Sequence, residues 1–353
     1  MSRTMLRHAV PLTLSIALAL VACDGTPKSP EASATPKAAS ATATSTKSEK
    51  ANPQWQAHVD GYIDGYFKRF PVDAASAGKH EFDGKLPDWS AAGLKETIAW
   101  LHSQHDQIAA FTDDKLDRTQ RFQREYVLAV IDGQLFWLED SGFVHDNPAF
   151  YAGSISPSMY LTREYAPLPQ RMAAFVAYED NLPTAVAQIR ANLQTPLPAS
   201  YIDFGVGVFG GLADFFQNDV PKAFATVDDK ALQDHFKASN AKAIATMRDF
   251  AGWLKAQKPH ATQDFALGAN RFAMMLHATE RVDIPLDQLK AAGEADLARN
   301  LASLKDACAQ FLPNAPLDQC VAKVNADKAS GDMLAKAMEK IGKEGVITVE
   351  EAK

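Results

Sequence analysis

His102 and His105 are the pair in this sequence whose spacing could serve a metal ion. On a helix, side chains three apart share a face, and Asp106 adjoins them, so the three form a candidate ligand cluster. The alternative is one exposed and one half-buried histidine with ordinary partners. A zinc peptidase would need two histidines one helical turn apart and a glutamate to activate the metal-bound water. His80-Glu81 comes nearest to that pattern, but Gly84 stands where the second histidine would be. Gly205-Val206-Gly207-Val208-Phe209-Gly210 spells a dinucleotide-type glycine pattern, which requires a preceding strand. Its flanks, Pro198-Ala199-Ser200 and Leu212-Ala213-Asp214-Phe215-Phe216, read as a helix start and an apolar helix, so close helix packing is the expected role. Ser76-Ala77-Gly78-Lys79 and Ser239-Asn240-Ala241-Lys242 fit Ser-x-x-Lys without the companion motifs of a penicillin-recognising enzyme. Gly153-Ser154-Ile155-Ser156-Pro157 fails the nucleophile-elbow pattern. Spacing therefore assigns no catalytic residue.

The cysteines carry a clearer chemistry. A basic start with Arg3 and Arg7 leads into an apolar run from Ala9 to Ala22, and Leu20-Val21-Ala22-Cys23 follows. At roughly fourteen residues the run is too short for a stable bilayer-crossing helix, which needs about 20. It has the layout of a secretory signal, and its end resembles the bacterial lipobox, with cleavage between Ala22 and Cys23 and a lipid on Cys23. Two or more acyl chains there would give stable anchoring. Asp24 resembles the inner-membrane retention signal of enterobacterial lipoproteins, a rule that differs between bacteria, so the choice of membrane stays open. Removing Cys23 leaves Cys308 and Cys320 around a proline-containing turn. In an exported protein they are expected to pair, closing a loop of about 13 residues for roughly 3 kcal/mol. The alternative is two buried thiols, because Cys308 continues an apolar helix face.

These chemistries need elements to hold them. From Gly25 to about Pro53 the chain is dominated by Ala, Ser, Thr, Pro and Lys with no large apolar residue, a composition that cannot offset its ordering entropy, so residues 23–53 read as a lipid-anchored tether. The 353 residues are 46% apolar with net charge -7, which excludes a basic nucleic-acid binder. The expected partners are the membrane, through the Cys23 lipid, and peptides. Helical periodicity dominates residues 54–328. Leu297, Leu301, Leu304, Cys308 and Phe311 step as one buried stripe ended by Pro313. Phe236, Ala243, Met247, Ala251 and Leu254 mark a second face, and Leu94, Ile98, Leu101, His105 and Ile108 a third. Residues 115–138 form a long amphipathic helix with Phe122, Tyr126, Val127, Val130, Ile131 and Leu135 apolar. Between Leu168 and Leu193, Pro183 sits where a second helix would begin. The class is all-α.

Several phrases go further. Phe70-Pro71-Val72-Asp73-Ala74-Ala75, Asp83-Gly84-Lys85-Leu86-Pro87-Asp88-Trp89-Ser90 and Tyr160-Leu161-Thr162-Arg163-Glu164-Tyr165-Ala166-Pro167 resemble the N-terminal half of the bacterial DUF885 family. So do Asn181-Leu182-Pro183, Ala266-Leu267-Gly268-Ala269-Asn270-Arg271-Phe272 and Asp296-Leu297-Ala298-Arg299-Asn300. The resemblance implies a helical, often lipidated protein similar to zincin metallopeptidases. Zinc is then expected only for a complete member, whose His-Glu and Pro-Gly-His phrase this chain does not contain; no cofactor is expected here. From about Gly331, the run from Met333 to Glu351 resembles a short helix-turn-strand piece of group I chaperonins, so residues 329–353 read as a foreign tail. The expectation is an inactive, zincin-related envelope lipoprotein facing the periplasm. The rival is a helical peptide-binding or scaffold lipoprotein.

Overall fold

The computed structural model describes residues 51–326. The signal, Ala22, Cys23, nearly all of the tether and the helix-strand tail lie outside the described residues. Thirteen α-helices carry the described chain. The first group comprises α1 (Pro53–Arg69), α2 (Pro71–Ser76), α3 (Ala91–Ala109), α4 (Arg118–Leu135), α5 (Phe143–Asp146) and α6 (Ser158–Thr162). Then come α7 (Leu168–Asn192), α8 (Ala199–Asn218), α9 (Val220–Ala223), α10 (Lys230–Gln257) and α11 (Gly268–Glu280). Last are α12 (Leu286–Phe311) and α13 (Leu317–Ala326). Among the described residues there is no strand, only an isolated bridge between Pro198 and Thr262, so the protein is all-α. No described helix is long and apolar enough to cross a membrane. The stretch expected as one domain divides into two compact units after Val282.

The first unit has two cores. The larger lies on α7, α8 and α10. Asp180 meets Ser239 and Arg190 meets Asp249, so α7 and α10 run parallel. Phe209 stacks edge-on against Phe250 at 4.6 Å, and Phe216 lies level with Asn240, so α8 runs antiparallel to α10. The expected faces of α10 are in place: Phe236, Ala243, Met247 and Leu254 are buried. The smaller core joins α1, α3 and α4 through Trp55, Tyr62, Leu101, Ile108, Val127, Ile131 and Leu135. Asp117 starts α4 with a reciprocal capping box to Gln120, which satisfies two backbone donors that the first turn leaves open.

Three sequence expectations are corrected. Pro183 begins no helix; it sits inside a continuous α7. An interior proline costs about 3 kcal/mol, but Phe175, Leu182, Val186 and Ile189 are all buried on that helix. Each such side chain gains about 1.5–3 kcal/mol on burial, so the joint face outweighs the break. The helix expected over 115–138 begins at Arg118 and passes at Phe136 into a π-turn, Phe136–Asp140. On it Phe122 is 71% exposed, stacked on Tyr126 at the surface.

The second unit holds α12 and α13, tied by a Cys308–Cys320 disulfide with Cα atoms 5.9 Å apart. The helix expected from the Leu297–Phe311 stripe is present, but the stripe is not buried. Leu297 is 59% and Phe311 49% exposed, with only Cys308 buried. The periodicity of α12 thus marks a face that the described residues leave largely uncovered.

Candidate functional site

The polar groups of the first unit converge on the loop from Lys79 to Ser90. The local sequence forces a turn there: Gly84 adopts φ +78, a left-handed conformation that glycine alone takes without strain. A Cβ on Gly84 would come within 2.7 Å of the Ala177 Cβ and 3.1 Å of the Ala174 carbonyl, so the loop backbone lies directly on α7. Both backbone groups of Gly84 are claimed by side chains. Its N–H donates to the Tyr160 hydroxyl at 2.8 Å, and its carbonyl accepts from the Asn181 amide at 3.0 Å. Further on, the Trp89 N–H donates to Gln188 at 3.0 Å and the Trp89 carbonyl accepts from Asn192 at 2.8 Å. Asn181, Gln188 and Asn192 are seven and four apart, one polar stripe on α7 that grips the loop along its length. The buried Arg171 holds the other side, donating to the carbonyls of Tyr160 and Ala166, both at 3.1 Å.

At the mouth of this clamp, His80 and Tyr165 stack face to face with ring centroids 3.9 Å apart. His80 Nδ1 is 3.2 Å from Asp83 Oδ1, and the Tyr165 hydroxyl donates to Asp83 Oδ2 at 2.8 Å. Burial, followed by its hydrogen bond to Asp83, pushes the Tyr165 hydroxyl well above the usual phenol range. Burial likewise pushes Tyr160 up to about 12, so both remain neutral donors and acceptors. Two hydrogen bonds from Ser90, through its backbone N–H and its side chain, hold the Asp88 carboxyl below its ordinary range. His80 keeps 36% of its side chain exposed and is oriented by Asp83 through one nitrogen. The arrangement can position a single histidine for proton exchange or for one hydrogen bond to a ligand.

The candidates from sequence fare differently. His102 Nε2 meets Glu139 at 2.7 Å, whereas His105 lies 3.5 Å from Asp132 and 3.7 Å from Asp106. The two histidines are thus engaged by separate carboxylates. Among the described residues no group of three or more His, Cys, Asp or Glu side chains could hold a metal ion. The glycine pattern at 205–210 lies wholly inside α8, where a Cβ on Gly205 would meet Pro148 at 2.8 Å and Leu254 at 3.0 Å. Ser76 faces the Met159 sulfur, and Ser239 donates to Asp180 at 2.5 Å, so neither Ser-x-x-Lys serine is paired with its lysine. Sequence reasoning missed Gln188, Asn192, Arg171 and the buried Glu179. The signal was available for the amides, which repeat at helical spacing beside an apolar face.

The phrases that meet at this clamp are those of a family. The architecture is similar to that of a protein from Shewanella oneidensis, described as a candidate lipoprotein of unknown function. The two structures superpose with a TM-score of 0.64 at 18% identity over 84% of this chain, which spans 59% of that one. The chain belongs to the DUF885 family of bacterial proteins of unknown function, which it matches over residues 71–344. That match runs past residue 329, where the sequence reading placed a foreign tail.

Proposed function

We propose that this chain is the helical part of a zincin-related envelope lipoprotein and does not hydrolyse peptides by itself. One observation carries the reading. The nearest approach to a zinc motif, His80-Glu81, lies in a 3-10 turn rather than an α-helix. Its second ligand position is Gly84, where neither φ nor the space against α7 admits a histidine side chain. The ligands of a zincin must project from successive helical turns, which this loop cannot provide. Purified protein should leave a mixed peptide library uncut with or without zinc. Hydrolysis abolished by a chelator and restored by zinc would overturn the proposal.

A second reading is a non-catalytic peptide-binding or scaffold lipoprotein, for which a shallow, open surface depression beside the clamp is the candidate surface. Ser90, Ala91, Thr184, Ala187, Gln188 and Asn192 line it with small and amide side chains. Saturable binding of an unstructured peptide, lost on Ala187→Trp, would distinguish it. Export and anchoring rest on Leu20-Val21-Ala22-Cys23 and the Ala/Ser/Thr/Pro stretch that follows. Labelled palmitate should enter the full chain in cells and be lost in Cys23→Ser; retained label would refute the anchor. The tail from residue 329 is a foreign join in this proposal, against which the family match to residue 344 already counts; an uninterrupted genomic reading frame across it would refute that part.

A further inference from the structure

Glu179 is fully buried in the middle of α7, and neither carboxyl oxygen has a hydrogen-bond partner among the described residues. It sits four residues before Pro183, which has no N–H to return to the Glu179 carbonyl. On the facing helix α10, the buried Asn240 spends its amide N–H on the Phe216 carbonyl of α8 at 3.0 Å. Its own Oδ1 is left without a partner. Asp180 and Ser239, the sequence neighbours of these two residues, touch across the same interface. Two orphaned acceptors therefore occur at one level of the α7–α10 contact, and acceptors alone cannot satisfy each other.

We infer that Glu179 is a buried proton-binding site, carried as the neutral acid, whose proton serves Asn240 Oδ1 and locks α7 against α10. The surrounding charges fit. On its own helix Asp180 adds a like charge, itself taken up by Ser239 and by His235 at 3.0 Å from α10. Tyr178 has committed its hydroxyl to the Ile155 carbonyl, and α8 presents Phe216. Burial, followed by Asp180, pushes the Glu179 carboxyl from 4.5 up to about 9. Between those values the folded chain holds a proton that the unfolded chain has released, so stability falls as pH rises and levels off above the upper one. Asn181, Gln188 and Asn192 lie on the same helix, so releasing this proton loosens the element that grips the 79–90 loop.

The test compares melting temperature against pH for the wild type and Glu179→Gln, which keeps shape and a donor without the titration. The two should coincide near pH 5, and the wild type should fall progressively below the variant towards pH 9. Parallel profiles would overturn the inference. Should the variant fail to fold, carbon-13 NMR of glutamate-Cδ-labelled wild type reads the site directly. One glutamate resonance titrating several pH units above the rest is expected, and a set titrating together in the ordinary range would refute it.

Discussion

Gly84→Ala is the substitution that most directly tests how the loop is held. Two terms add. An L-residue at φ +78 pays about 1–2 kcal/mol relative to glycine. The new Cβ, 2.7 Å from the Ala177 Cβ and 3.1 Å from the Ala174 carbonyl, must also push the loop off α7, because a helix backbone cannot yield. That movement stretches the contacts of Gly84 to Tyr160 and Asn181, and a buried N–H left unpaired costs about 1–3 kcal/mol. The expected loss is about 2–5 kcal/mol, a large share of a domain stability of about 5–15 kcal/mol. Gly78→Ala is the control: Gly78 has φ +89 but nothing within 4 Å of its Cβ, so only the backbone term of about 1–2 kcal/mol applies. Urea unfolding, followed by circular dichroism and by tryptophan fluorescence (Trp89 is buried in the loop), gives both values. Equal losses for the two variants would refute the claim that contact with α7 fixes the loop.

Other consequences are as direct. Cys308→Ser should lower stability by about 3 kcal/mol without reductant and leave it level with the wild type in reductant; an equal loss in both would mean the loop closure contributes nothing. The glycine pattern of α8 should split. Gly207→Ala, with open space at its Cβ, should raise the melting temperature through a helix-propensity gain of about 0.5–1 kcal/mol. Gly205→Ala should lower it, since the methyl must displace Pro148 and Leu254; two variants moving the same way would contradict the packing role. The hydrolysis, palmitate and pH experiments above complete the set.

Much of this molecule was legible in the order of its residues. Helical periodicity is a local property, so the faces of α3 and α10 could be read from spacing, as could the helix that contains the Gly205–Gly210 pattern. The family phrases were legible too, because they are runs of neighbouring residues. Their reason for existing was not. Asp83-Gly84, Tyr160-to-Pro167 and Asn181 sit in separate stretches and meet only when α7 receives the loop.

What the tertiary structure alone decided is which local preferences are overruled. Pro183 is a helix start by its own chemistry, yet the continuous apolar face around it buries enough surface to carry α7 straight through. The Leu297–Phe311 stripe has the periodicity of a core, yet most of it faces outward, because burial depends on a neighbour and spacing records only a face. His102 and His105 share a spacing and not a partner, since the carboxylates that engage them arrive from distant points of the chain. Sequence determined most of the elements and the family; packing determined which side chains meet, and so where a buried carboxyl and a clamped loop could be built.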